Sequence, residues 1–302
     1  MAMLYDIQHV TTCDYDAAIA SSYCALRMLP RCDRGQTVLQ SGLVISPLPA
    51  EEHERVDFFG NRTVDIRIDV AHRELQVGAH ARVAVDRASP PVPALTLPWE
   101  SVREHAVASA SLEATSPSHY LFASRFVPLH DAVTAYARKS FGSGRAILEG
   151  GLDLIRRIKA DFGYDPGASD VSTPLIEAFE ARHGVCQDFA HIMIAGLRGL
   201  GLPAAYVSGY LRTLPPPGQA RLEGADATHA WISLWCGPEF GWIDLDPTNA
   251  VAVIDDHISV AVGRDYADVS PMDGVVLGSG GQKLTIEVDV VPVLDPSRIP
   301  SA

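Results

Sequence analysis

The sequence predicts an α+β protein: a β-sandwich-like N-terminal region over residues 1–92, a core of helices packed on an antiparallel sheet over 93–275, and a closing strand and tail over 276–302. Three observations predict it. Residues 3–86 hold short alternating or β-rich runs separated by turn residues. Between His119 and Phe162 the apolar spacing changes to the helical period. Alternation then returns in Thr228–Cys236, and a Gly237–Gly241 turn joins it to Trp242–Asp246, which reads as an antiparallel hairpin.

Taken in order, the strand candidates are Leu4–Thr12, Ser21–Leu29, Gln36–Ser46, Thr63–Val70 and Leu75–Val85, with a tight turn at Gly60-Asn61 after Phe58-Phe59. Nothing in this region carries chemistry: His9, His53, His72 and His80 lack ligand spacing. Pro90, Pro91, Pro93 and Pro98 mark a boundary. Helical spacing is expected over His119–Phe141 and Ala146–Phe162, the second with an apolar stripe at Leu148, Leu152, Ile155 and Ile158. A further helix is expected to start at Thr173-Pro174, threonine as N-cap and proline at N1, and to end at Gly184. Phe189–Leu200 is almost wholly apolar or small and lacks proline, as a helix buried on most sides requires. Leu200-Gly-Leu-Pro203 stops it, Ala205–Leu211 is a strand, and Arg212–Ala227 is a loop that either edges a cleft or merely connects. Lys283–Val291 alternates and reads as a closing strand that returns to the N-terminal sheet.

Composition narrows the function. A net charge of −13 argues against non-specific binding to nucleic acid or to an anionic membrane. No apolar run is long enough to span a bilayer, and the first residues lack the basic and apolar regions of a signal peptide. Five cysteines are an odd number without CxxC spacing, which suits a reducing cytoplasm.

The chemistry gathers at His183-Gly-Val-Cys-Gln-Asp-Phe-Ala-His191. Cys186 falls in the first turn of the buried helix, where unpaired backbone N–H groups and the helix dipole favour a negatively charged sulfur. The competing reading is a cysteine that only packs. In the downstream hairpin, pairing Trp235 with Trp242 sets Trp231 opposite Asp246 and His229 diagonal to it, within side-chain reach. Asp244 falls opposite Ser233, further away. Cysteine, histidine and aspartate are the types that nucleophilic acyl transfer needs: a nucleophile, a proton carrier and a carboxylate that orients the ring.

The stretches GVCQDFAHIMIAGLRGLGLPAAYVSGYL, DATHAWISLW and GWIDLDPTNA, followed by GRDYADVSPMDG, resemble the core of the bacterial transglutaminase-like superfamily, in the branch described as cysteine-protease-like. ALRMLPRCDRGQ and DFFGNRTVDI resemble the β-domain that precedes this core, so the resemblance runs from about residue 3 to 275. It implies a papain-like core with Cys186 as nucleophile, His229 as general base and acid, and Asp246 as the orienting carboxylate. The expected activity is cysteine-dependent acyl transfer at a peptide or amide, with hydrolysis favoured over protein-glutamine transamidation and over a non-enzymatic binding role. Tyr164, Gln187 and Trp231 are the oxyanion or substrate candidates; Trp231, Trp235 and Trp242 share the His229 face and either wall a cleft or fill the core. His183 and His191 flank Cys186 at offsets that one helix cannot bring to one face, so no metal site is expected there. Without a calcium-type acidic run, no cofactor is expected. The partner expected is a peptide or protein amide substrate.

Overall fold

The computed structural model describes residues 2–167, 171–213 and 227–293. Six strands open the chain: β1 (Met3–Ile19), β2 (Ser21–Leu26), β3 (Gln36–Ser46), β4 (Glu51–Val56), β5 (Arg62–Ile68) and β6 (His72–Val85). Helix α1 (Trp99–Val107) follows, then α2 (Asp131–Arg138), α3 (Ile147–Asp161), the short β7 (Gly163–Tyr164), α4 (Leu175–Ala181) and the short β8 (His183–Gly184). Next come α5 (Cys186–Gly199), β9 (Ala204–Leu211), β10 (Ala227–Trp235), β11 (Trp242–Asp246), β12 (Val251–Ala252) and β13 (His257–Gly263). The chain closes with α6 (Tyr266–Val269), β14 (Met272–Leu277) and β15 (Gln282–Pro292).

Two four-stranded sheets, ordered β15-β1-β6-β3 and β14-β2-β5-β4, face each other across a core that includes Cys13, Cys24, Leu26, Ile66, Leu75 and Val77. The alternation in β1, β2, β5 and β6 points one set of side chains into this core. The last strand returns as expected: β15 runs antiparallel to β1, with Ile7 opposite Val290. β4 has no counterpart in the sequence reading. Every residue of Glu51–Val56 is exposed, so it carries no alternation to read; pairing with β5 and the Arg55–Asp65 ion pair at 2.7 Å hold it.

Helix α5 is the spine of the second half. It packs on α2, α3 and α4 on one side and on β9 and β10 on the other. Phe189, Ile192, Met193, Ile194 and Leu197 are all buried, each worth about 1.5–3 kcal/mol against exposure. Its sheet has the order β12-β11-β10-β9-β13, with every neighbouring pair antiparallel.

Several boundaries move. The helix expected over His119–Phe141 is confined to α2, because Pro128 and the irregular chain before it interrupt the spacing. Pro98, read as part of a boundary, instead occupies the N-cap of α1, which buries only Trp99, Val102 and Ala106. Pro174, not Thr173, is the N-cap of α4. That helix stops at Ala181 because Arg182 turns left-handed (φ 59°), with its guanidinium over the rings of Phe162 and Phe179. Most of the expected cleft-edge loop, residues 214–226, lies outside the described residues.

Gly60-Asn61 forms the expected turn and also docks the two halves. Asn61 is fully buried and accepts from the Val262 N–H while donating to the Val262 carbonyl, both at 2.8 Å, as a strand neighbour does. Asn61→Ala leaves a buried donor and acceptor on β13 unpaired, so a loss of about 2–4 kcal/mol is expected in denaturant unfolding.

Candidate active site

Cys186 is the first residue of α5. The helix starts there because Asp188 folds back and accepts from the Val185 N–H at 2.8 Å. Gly184 permits this fold: a Cβ at that position would stand 2.7 Å from Asp188 Oδ2. Asp188 therefore braces the helix start, leaving first-turn amides directed outward beside the sulfur. The parallel pairing of β7 with β8 sets Tyr164 next to Gly184, just before Cys186.

His229 enters from β10, opposite Gly209 of β9. The β10–β11 register is the one inferred, with Trp235 opposite Trp242 and Ser233 opposite Asp244. At the end of β11, Asp246 is completely buried. Its Oδ1 accepts from the backbone N–H groups of Thr248 (2.8 Å) and Asn249 (3.1 Å), a side-chain turn that accounts for the Asp-Pro-Thr-Asn sequence. Its Oδ2 accepts from His229 Nε2 at 2.9 Å, from His257 Nε2 at 3.0 Å and from Asn249 Nδ2 at 2.7 Å.

An ionised carboxylate only accepts, so both imidazoles carry their hydrogen on Nε2. That leaves Nδ1 of His229 for Cys186, whose sulfur lies close enough to raise the pKa of the ring. Burial pushes the His229 pKa down, but Asp246 and Cys186 outweigh it and raise the value to about 10. Burial likewise works against the Asp246 carboxylate, yet the two histidines hold its pKa far below the ordinary range.

The sequence candidates separate clearly. Cys186, His229 and Asp246 come together: His229 donates to Asp246, and its ring feels the neighbouring sulfur of Cys186. Tyr164 borders the sulfur: it is 54% exposed, its ring meets Phe189, and burial, then the nearby Cys186, raises its pKa. Gln187 is partly exposed and donates to the Val171 carbonyl at 3.4 Å. Trp231 must be corrected. It is 0% exposed, with its indole N–H on Asp244 Oδ2 at 3.2 Å and its ring edge against His257, so it backs the histidines and cannot touch a substrate. Gly209 makes room for it, since a Cβ there would meet the Ile258 carbonyl and the Trp231 ring. Trp235 is also buried, and Trp242 is partly so. Asp244, the rejected partner of His229, instead accepts from Arg34 at 2.8 Å.

Four contributors escaped the sequence reading: Asn249, His257, Arg34 and Arg87. His257 lies in a wholly buried β13 whose run of apolar residues was the available signal. His229, Asp246 and His257 also present atoms within 4.8 Å of one another, the span of a metal site. A bound ion would need a nitrogen lone pair from each ring at roughly 2.0–2.1 Å. Both Nε2 atoms instead donate to Oδ2 at hydrogen-bond length, so hydrogen bonding accounts for the cluster. His183 is exposed and His191 is buried in a stack with Phe126, so the two do not converge.

A family model described as the transglutaminase-like superfamily matches residues 134–247, which include Cys186, His229 and Asp246. A second model, the bacterial transglutaminase-like N-terminal region, matches residues 5–84. The chain belongs to the transglutaminase-like superfamily. An uncharacterized protein of Mycobacterium tuberculosis is 39% identical over 298 residues, covering 95% of this chain and 92% of its own length. A protein-glutamine gamma-glutamyltransferase of Pseudomonas aeruginosa is 35% identical over 107 residues, 33% of this superfamily member and 16% of the relative. The crystal structure of a cysteine-protease candidate from Cytophaga hutchinsonii superposes with a TM-score of 0.75 at 23% identity, covering 99% of this chain and 93% of that one; the likeness is one of fold. Among the described residues no helix is long and apolar enough to cross a membrane.

Proposed function

We propose that this protein is a cysteine-dependent acyl-transfer enzyme acting on a peptide or amide, with hydrolysis as its reaction. The observation that supports it is the grouping of Cys186, first residue of a buried helix, with His229, whose Nε2 donates to the buried Asp246. In this reading Nδ1 of His229 already holds the proton given up by the thiol, and the sulfur, as thiolate, attacks the carbonyl carbon. The carbonyl π electrons move to oxygen, where first-turn N–H groups of α5 stabilise the developing charge. Collapse of the adduct breaks the C–N bond, and His229 returns its proton to the departing amine. The resulting thioester is opened by water, which gives a proton to Nδ1 and releases the acid and the thiolate. Tyr164 is assigned as a further donor, and Gln187 as a border of the cleft. Five unpaired cysteines fit a reducing compartment, which we take to be the cytoplasm.

Transamidation is the second reading, favoured by the Pseudomonas relative. It differs only in an amine, rather than water, opening the thioester. The test is incubation with a mixed peptide library and a fluorescent primary amine, followed by mass spectrometry. Hydrolysis predicts new termini or deamidated glutamine with little label incorporated; label incorporated faster than hydrolysis contradicts it and supports transamidation.

A further inference from the structure

The orienting carboxylate is held from two sides. His229 donates to Oδ2 of Asp246 from β10, and His257 donates to the same oxygen from β13, a strand separated from β10 in the sheet by β9. His257 is buried, so it does not meet a substrate, and two further contacts fix its place. The Trp231 indole stands against its ring with centroids 5.1 Å apart, and the indole N–H is held by Asp244, which Arg34 holds in turn. Arg87 donates to the His257 carbonyl at 2.5 Å and to Ser259 Oγ and Gln36 Oε1 at 3.1 Å. Arg34 follows β2 and Arg87 follows β6, so the N-terminal half reaches the site through His257 without entering the cleft.

We propose that His257 is a positioning residue: its Nε2–H fixes the plane of the Asp246 carboxylate, and Asp246 in turn sets the angle at which His229 meets Cys186. The geometry supports this role over simple filling of space. An oxygen bonded from one side swings about the Cβ–Cγ bond, whereas Oδ2 is bonded from β10, β13 and Asn249 and cannot turn without breaking charge-assisted bonds. This inference rests on the proposed roles of Cys186, His229 and Asp246.

The test measures the rate of iodoacetamide capture of Cys186 at pH 7 in the full-length protein, peptide by peptide, for the wild type, His229→Ala, His257→Leu and His257→Gln. Near-UV circular dichroism confirms that each variant is folded. His257→Leu fills the space without the donor and is expected to slow capture about tenfold. His257→Gln keeps an N–H donor and is expected to recover most of that loss, which a purely space-filling role does not predict. Capture of exposed Cys32 stays constant throughout. The proposal is overturned if folded His257→Leu matches the wild type while His229→Ala slows capture, or if glutamine and leucine slow it equally. If His229→Ala also leaves the rate unchanged, the acyl-transfer reading fails with it.

Discussion

Asp246→Asn is expected to abolish activation of Cys186 while leaving the backbone of the site in place. An amide occupies nearly the same volume, but it offers one acceptor oxygen where the carboxylate offers two. Five donors surround Asp246 in the wild type. With its oxygen kept on the Thr248 and Asn249 N–H groups, the asparagine NH2 points at two imidazole N–H groups and forces at least one ring to flip its tautomer or turn away. In the serine-protease triad the same change costs on the order of 10⁴-fold in turnover, and a loss of that order is expected here for amide hydrolysis. Capture of Cys186 should fall to the level of Cys32. Asp246→Ala should do the same and also destabilise the fold by about 3–5 kcal/mol, because it leaves buried donors without their acceptor. Peptide-resolved alkylation and denaturant unfolding of the two variants check both halves.

The second large effect is on stability against pH. Below about pH 6.5 His229 is protonated in both folded and unfolded chains. Between there and its folded value of about 10, the folded protein keeps a proton that the unfolded chain has released. Its stabilising contribution is therefore complete below about pH 6.5 and disappears as the pH rises through about 10. Asp246 runs the other way. Its lowered pKa gives stability above the ordinary carboxylate value near 3.8, and this is lost as acid protonates it. Because the two shifts are largely one attraction seen from both partners, they do not add. The stability difference between wild type and His229→Gln should therefore be greatest at about pH 4–6.5 and shrink steadily towards pH 10. Thermal unfolding of both proteins at matched pH reads it directly; a difference that is flat from pH 6.5 to 10 contradicts an ionised pair.

The site was legible where local rules act. Two tryptophans flanking a five-residue turn fixed the hairpin register, and that register singled out Asp246 over Asp244. A glycine before an apolar, proline-free run marked the start of α5 at Cys186. What stayed hidden depends on contacts distant in sequence. His257 shows no polar pattern of its own, since all of β13 is buried, and its meaning appears only when β13 docks beside β9. Trp231 shares a strand face with His229, yet Asp244 and Arg34 draw it into the interior. The solvent-facing β4 hides for the opposite reason: a strand whose side chains are all exposed has no face to betray it.

The most direct measurement is the rate of iodoacetamide capture of all five cysteines at pH 7, in wild type and His229→Ala, with each site read by peptide mass spectrometry. Cys186 is partly exposed, Cys32 is exposed, and the other three are buried. Exposure alone predicts that Cys32 reacts first. An activated nucleophile predicts that Cys186 reacts first, and that His229→Ala removes its lead without altering Cys32. A wild-type Cys186 that reacts no faster than Cys32, in folded protein, contradicts the acyl-transfer account and leaves the fold as a binding scaffold.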